Sequence, residues 1–347
     1  MTATALDWRK GLFGNKTNIA ITAGYAAFVW WLVVPFLQWA VVDATLHGTS
    51  ETCSRDGGAC WAFIVAKANF ITFGFYPADV RWRAAVACVL LLAVAVAICV
   101  PRFWSRWLAA FGLGGLVIAV LLLLGVPPGQ IVTTEQWGGL PVTLLLSVVG
   151  LAGAFPLAVM LALARQSRRG GIRMLSVVFI EVVRGVPFIS ILYMATLLFP
   201  LMLPHGASID KFLRAQVALI LFVSAYMAEI VRAGLSSVPR GQTEAGEALG
   251  LSYFNTMQLI VMPQALRAVI PSLVNLAIGV FQDTTLVLVI GMFDFLNTAR
   301  AAATDPQWLG YYDESFAFVA AVYFVCCFAL SRYSLWLERY LGRPGAR

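Results

Sequence analysis

The sequence predicts an all-α polytopic membrane protein with about eight transmembrane helices. Three observations predict it. Mean hydropathy is +0.84, and only 12% of the 347 residues are charged. Soluble domains carry about a quarter charged residues, and a water-soluble fold could not hide this much apolar surface. Apolar runs recur along the chain, most of them within the roughly 17–25 residues that a helix needs to cross a bilayer. Lys and Arg sit mostly at the ends of these runs, where membrane topology places them.

The chain opens with MTATALDWRKGLFGNKTN, which has basic residues but no small-residue cleavage site. The first run, Ile19–Val42, is therefore expected to stay as an anchor. Residues 43–82 form a large loop. The second and third runs are Ala84–Val100 and Leu108–Val126. Pro127, Pro128 and Gly129 then break the chain, and WGGLPVTLLLS opens the fourth run, Leu140–Ala164. Val186–Leu203, Phe212–Val231, Leu266–Met292 and Ser315–Leu337 complete the set. A boundary near Gly138 separates an N-terminal extension (1–137, three transmembrane helices and the loop 43–82) from a five-helix unit (138–337) and a tail (338–347).

Charge sets the expected orientation. With the N-terminus in the cytoplasm, seventeen of the 24 Lys and Arg residues fall on cytoplasmic segments, the bias that topology follows. Both termini are then cytoplasmic, the loop 43–82 lies outside, and the stretch 241–263 lies inside. Cys88, Cys99, Cys326 and Cys327 fall in apolar runs and read as small hydrophobes. Cys53 and Cys60 flank a polar loop, CSRDGGAC. In an oxidising compartment they can form a disulfide; two free thiols are the alternative.

Several function classes are excluded. The net charge of +7 comes without any RNP, zinc-finger or basic-helix pattern, so nucleic acid is not expected as a partner. GLFGNKT at Gly11–Thr17 misses the P-loop pattern, because Asn15 separates Gly14 from Lys16. An intramembrane enzyme needs a nucleophile or a metal set at membrane depth. His47 and His205 are the only histidines and both fall in expected outer loops, with no G-x-S-x-G or H-E-x-x-H present. No catalytic residue, metal site or cofactor is assigned to this chain. An ion-coupled secondary transporter, the alternative within transport, is expected to show inverted repeats. Only the two phrases Glu181-Val-Val-Arg184 and Glu229-Ile-Val-Arg232 recur.

The stretch GQTEAGEALGLSYFNTMQLIVMP, 241–263, stands out as polar and rich in small residues between two apolar runs. Thr243 before Glu244 and Glu247 suggests an N-cap and first turn. Gly250 suits a left-handed position ending that helix. Ser252 can cap a second short helix, and Pro263 is expected to turn the chain back to the membrane. So short a helix is marginal alone. Its acids and small groups fit a protein groove better than lipid headgroups, which favour basic and bulky apolar residues.

Glu244-Ala245-Gly246, then Gly250, then Ile260-Val261-Met262-Pro263 resembles in spacing the cytoplasmic motif of ABC importer permeases: E-A-A, Gly, I-x-L-P. Gly246 replaces Ala and Met262 replaces Leu. The phrases IEVVRGVPF, SAYMAEIVRAGL, MPQALRAVIPSLVN and FQDTTLVLVIG are similar to the permeases of polar (His/Glu/Gln/Arg/opine) amino-acid importers, over roughly Gly138–Leu337. The first three helices and the Cys loop with ACWAFI resemble the longer, second permease of the bacterial general L-amino-acid importer. The resemblance implies a five-helix type I importer core in the inner membrane. It also implies a second permease subunit as heterodimer partner, and an ABC ATPase dimer that carries ATP and Mg and grips the loop. A periplasmic amino-acid-binding protein would complete the machine.

Gln282, Asp283, Thr284 and Thr285 interrupt the seventh run. Intramembrane acids are costly, so these residues either line a path for an amino acid or cap a break or pair with a partner permease. Glu181 with Arg184, and Glu229 with Arg232, are spaced to meet on one helix face and read as structural ion pairs or a brace near the loop.

Overall fold

The structure is a computed structural model and describes residues 12–103, 107–126, 129–204 and 209–341. Pro127, Pro128, His205, the N-terminal residues through Gly11 and the tail beyond Leu341 lie outside the described residues. Nearly every described element is helical: α1 (Lys16–Leu37), α2 (Ser50–Asp56), α3 (Trp61–Phe73), α4 (Arg81–Cys99), α5 (Leu108–Leu124), α6 (Leu140–Arg165), α7 (Gly170–Gly185), α8 (Phe188–Tyr193), α9 (Lys211–Ser237), α10 (Arg240–Ala248), α11 (Tyr253–Thr256), α12 (Met262–Asp283), α13 (Phe295–Ala302) and α14 (Tyr312–Leu341). Two residue pairs form a short parallel ladder, β1 (Gly138–Gly139) with β2 (Phe293–Asp294).

Among the described residues, six helices are long and apolar enough to cross a bilayer: Lys16–Val42, Ala78–Cys99, Leu140–Arg165, Lys211–Ser237, Tyr253–Ile290 and Tyr312–Tyr340. The third expected span is α5, whose 17 residues sit at the lower limit of about 17 for spanning. The fifth run does not begin at Val186. It is the second half of a bent pair, Gly170–Gly185 and Phe188–Leu201, meeting at 105°. The bend has a local cause. Val186 precedes Pro187 and is extended (φ −105°, ψ 132°), as the clash with the proline ring requires. The first half escapes a hydropathy reading because one face of α7 carries Arg173, Glu181 and Arg184.

The chain packs as two compact units, Met1–Lys67 with Ala303–Glu314, and Ala68–Ala302 with Ser315–Arg347. This differs from the expected division near Gly138. α4 and α5 contribute Ala84, Ala87, Leu91 and Leu123 to the same buried core as Leu144–Leu146 of α6 and Leu219 and Val223 of α9. Helices read as an extension therefore belong to the larger core.

In the smaller unit, α1 buries none of its residues, and Trp30 and Trp31 are 72% and 70% exposed. An all-round apolar helix of this kind is at home in lipid or against another chain. The rest of the unit is stapled. Cys53 and Cys60 are joined by a disulfide, and the Cys60 N–H donates to Glu314 Oε1 at 3.1 Å. Lys67 Nζ pairs with Asp305 Oδ2 at 2.6 Å and holds that carboxyl below the usual range. Phe63, Trp308 and Tyr311 pack their rings against one another, and the Tyr311 hydroxyl donates to the Ser50 carbonyl at 3.0 Å.

In the larger unit, α9 is the central rod and packs on α6, α7 and α12. At its far end from α10 lies a polar knot. Asp294, wholly buried, caps α13 by accepting from the N–H groups of Leu296 (3.3 Å) and Asn297 (3.1 Å). Asn297 Nδ2 also donates to it and to the Thr285 carbonyl. Thr143 Oγ1 accepts from the Phe295 N–H at 2.9 Å, and the Thr298 hydroxyl donates to the Ile71 carbonyl at 2.8 Å. Burial pushes the Asp294 carboxyl up to about 6 despite these hydrogen bonds.

A disulfide closing so short a loop contributes about 2–3 kcal/mol on the chain-entropy account. Cys53→Ser should therefore speed limited proteolysis within residues 43–62 at least about tenfold, while the spanning helices stay resistant. Equal cleavage rates would show that the hydrogen bonds and ring contacts alone hold the unit.

Candidate functional site

The polar stretch 241–263 folds as a short helix held against the base of a long one. α10 begins at Arg240, directly after Pro239 (φ −59°, ψ 138°). Val238 is extended, as a residue before proline must be. The expected N-cap at Thr243 is thus corrected: the helix starts a turn earlier and has no acid in its first turn. Glu244 and Glu247 consequently do not serve the helix terminus. Both are exposed, and neither makes an ion pair among the described residues. Ala245 is exposed beside them.

The other end of α10 is a Schellman turn. Gly250 adopts φ +74°, the left-handed conformation that glycine takes without strain. The Leu251 N–H donates to the Gly246 carbonyl (3.1 Å) and the Gly250 N–H to the Glu247 carbonyl (2.9 Å), satisfying carbonyls that the helix end leaves open. Ser252 then caps α11 by accepting from the Asn255 N–H at 3.3 Å.

Pro263 does not turn the chain. From Tyr253 to Ile290 the backbone is one helical rod of 38 residues. A π turn at Met257–Val261 precedes Pro263, which takes a first-turn position of α12. Wide turns of this kind absorb a residue without a free N–H. Ile260 is half-buried and Pro263 exposed on this rod.

Two contacts fix α10 to the rod. Gln264 Nε2 donates to Gln242 Oε1 at 3.2 Å. Gly246 is buried against Thr256: a Cβ on Gly246 would lie 2.7 Å from Thr256 Cγ2 and 2.9 Å from its Oγ1. The glycine that departs from the E-A-A pattern therefore makes room for a β-branched neighbour. Just below, Gly234 of α9 lets the α12 backbone approach, since a Cβ there would meet the Ala265 carbonyl oxygen at 2.6 Å. Around α10, Leu249, Tyr253, Phe254 and Leu259 are 78%, 63%, 70% and 65% exposed. Together with the two free acids they form an apolar and acidic face that the chain itself leaves uncovered.

Gln282, Asp283, Thr284 and Thr285 mark a change of helix type: α12 ends at Asp283 and a 3₁₀ segment, Thr284–Ile290, follows. The two threonines stabilise the change. Thr284 Oγ1 donates to the Phe281 carbonyl (2.8 Å) and Thr285 Oγ1 to the Gln282 carbonyl (2.9 Å). Gln282 is exposed with Nε2 3.7 Å from Cys327 Sγ. Asp283 is half-buried, and its carboxylate makes no hydrogen bond or ion pair among the described residues. Thr284 is buried, so Gln282, Asp283 and the lone pairs of the Thr285 hydroxyl are the polar groups left to offer a ligand.

The two Glu/Arg phrases behave differently. Glu229 and Arg232 meet as expected, Nη2 to Oε1 at 2.5 Å. Glu181 and Arg184 do not. Glu181 pairs with Arg165 at 2.9 Å, while the Arg184 guanidinium lies over the Tyr226 ring at 5.6 Å and the Tyr226 hydroxyl donates to the Arg184 carbonyl. The aromatic face on the neighbouring helix α9 outcompetes a solvated carboxylate on the same helix. Sequence reasoning did not single out Arg165 from the basic residues that end the apolar runs. It also missed Asp294; the signal was DFLNT, an Asp followed three residues later by Asn at a helix start.

Residues 154–343 match the family described as binding-protein-dependent transport system inner membrane component. The chain is 43% identical over 97% of its length, and 93% of the relative, to the inner membrane amino-acid ABC transporter permease protein YhdY of Escherichia coli (strain K12). It is 37% identical, over 98% of this chain and 94% of the relative, to the glutamate/glutamine/aspartate/asparagine transport system permease protein BztC of Rhodobacter capsulatus. Its fold is similar to a chain of a crystal structure titled as an amino acid ABC transporter with histidines, with a TM-score of 0.51 and 30% identity over 57% of this chain and 89% of that one.

Gly246→Ala gains about 1 kcal/mol of helix propensity, but overpacking of this kind costs about 1–3 kcal/mol, so the contact with Thr256 wins. The variant should be cleaved faster than the parent within 239–263 in limited proteolysis, and adding Thr256→Ala should restore resistance. Resistance in the single variant would remove the steric reading of Gly246.

Proposed function

Because the chain belongs to the family of binding-protein-dependent transport system inner membrane components, we propose the following division of labour for it as the permease of an amino-acid ABC importer. The chain supplies spanning helices and a coupling element. ATP and Mg belong to a partner ABC ATPase, and an amino-acid-binding protein delivers the substrate. The lead observation is the uncovered face of α10, with Glu244, Ala245 and Glu247 exposed beside Leu249. A nine-residue helix fixed to its own rod on one side and bare on the other is suited to be gripped.

The physics demands such a grip. An amino acid at neutral pH carries two charges, and moving even one ion into hydrocarbon costs many kcal/mol. The path must be polar, closed on one side at a time, and driven. α10 lies between two spanning rods: α9 enters it through Val238–Pro239, and α11–α12 leaves it. A push on α10 is therefore delivered to both rods. Orientation follows from charge: with both termini in the cytoplasm, α10 faces the cytoplasm and the loop 43–82 faces the opposite side. A second permease subunit completes the path, as a heterodimer. Gln282 and Asp283 are the groups proposed to meet the substrate, on the strength of an unpartnered, half-buried carboxylate in a spanning rod, where acids are rare and functional. Polar L-amino acids are the expected substrate class, given the named relatives.

Two variants test this reading in proteoliposomes holding the full transporter and a panel of radiolabelled L-amino acids. Glu244→Lys should lower ATPase co-purification and ATP-dependent uptake at least about tenfold with insertion intact; normal coupled uptake would remove the docking assignment. Asp283→Asn should change the rate or the order of preference among amino acids. A loss confined to expression level would make Asp283 structural.

A further inference from the structure

Arg165 ends α6 with its guanidinium between carboxylates from two other helices. Nη1 lies 2.9 Å from Glu181 Oε1 on α7 and 3.3 Å from Glu229 Oε2 on α9. The first contact is a hydrogen bond. The second is an ion pair without hydrogen-bond geometry, so Glu229 Oε2 stays buried with no donor aimed at it. Glu229 is gripped again by Arg232, through Nε at 2.9 Å. The two carboxylates differ in setting: the Glu229 side chain is 25% exposed and that of Glu181 is 54% exposed. Arg184, the other cation near Glu181 in sequence, is spent on Tyr226.

This asymmetry divides the cluster into a firm half and a weak half. A carboxylate shared by two arginines and partly shielded from water is hard to release. A single pair to an exposed carboxylate contributes little and is screened by salt. The weak half is the polar tie to α7, which also packs Ile180 into the core, and α7 is the arm that leads into the 105° bend. The firm half centres on Glu229, gripped by Arg232 of its own helix and faced by Arg165 of α6 at 3.3 Å, on the rod α9 that runs through Val238–Pro239 into α10.

We propose that Arg165 is a positioning residue of the transport cycle, a clasp that keeps α6 on α9 through Glu229 and lets α7 go through Glu181. The proposal rests on the reading of α10 as the coupling helix. When α10 is pushed, α9 and α6 move together while the Arg165–Glu181 contact opens, so that α7 and the bent span beyond it change place relative to the rods. Release of α7 is thereby tied to the position of α10, and an arm free at all times would let nucleotide hydrolysis run without substrate.

The test is the complete transporter in proteoliposomes, with its partner permease, ATPase and binding protein, and radiolabelled L-glutamine as probe. Arg165→Gln and Glu181→Gln should keep ATPase co-purification, raise hydrolysis without substrate about threefold or more, and cut uptake per ATP about tenfold. The double variant should be no worse than Arg165→Gln alone, since Arg165→Gln already removes the contact that Glu181→Gln removes. Arg165→Lys should recover part of the coupling, as a point charge reaches one carboxylate but not two. Unchanged substrate-free hydrolysis, additive losses, or loss of ATPase co-purification in Arg165→Gln would each overturn the clasp. Glu244→Lys run alongside separates the two claims. If it keeps the ATPase and couples normally, the α10 reading has failed; if it loses the ATPase while Arg165→Gln stays coupled, only the clasp has failed.

Discussion

A nine-residue helix in water does not hold itself, and α10 is nine residues long. What orders it is contact on one side with the base of the α11–α12 rod: the glycine backbone at Gly246 seated on Thr256, the Gln242–Gln264 hydrogen bond, and the turn closed at Gly250. Everything proposed about coupling depends on that support. A loosely tethered helix could bind a partner but could not pass on its displacement, because the tether would absorb the motion.

Seen from that support, the larger unit divides into rods and an arm. α6, α9 and α12 approach closely through small residues, which is how helices associate in lipid, where no hydrophobic drive draws them together. Near α10 this contact is drawn tight at Gly234 and Ala265, within a small buried cluster with Ala162, Val231, Leu235 and Val261. The bent pair α7–α8 also packs Ile180, Phe188 and Leu192 into the core of the larger unit, and adds to that packing the charges around Arg165 and the Arg184–Tyr226 contact. Packed small-residue contacts resist separation and exposed charge pairs exchange, so the same membrane protein contains stiff and releasable joints. The smaller unit carries a third kind of joint, a disulfide with hydrogen bonds and stacked rings.

Much of this was legible in the sequence, and the parts that were not share a cause. Hydropathy located the spans wherever the helix is apolar all round, as in α1 and α4. It failed at α7, where Arg173, Glu181 and Arg184 depress the window although the residues are helical. Spacing within one helix found the Glu229–Arg232 pair but mispaired Glu181, because local periodicity says nothing of Arg165 or Tyr226 arriving from other helices. Pro263 read as a turn because the π turn that accommodates it has no sequence signature of its own. Gly246 read as a weak departure from a motif, since its partner, Thr256, becomes visible only when the two short helices are folded together. The disulfide pairing was readable because only one cysteine pair lies in a polar loop.

The proposal that α10 is clasped from the cytoplasm by a separate ATPase can be examined most directly by cysteine cross-linking at Ala245, which is exposed and carries no load in the fold. Ala245→Cys in membranes holding the whole transporter should react with an impermeant thiol reagent only in inside-out vesicles. It should also cross-link to the ATPase subunit, above the background of the parent chain's own cysteines. Labelling from the opposite face, or cross-linking only to lipid and to the permease itself, would contradict the account.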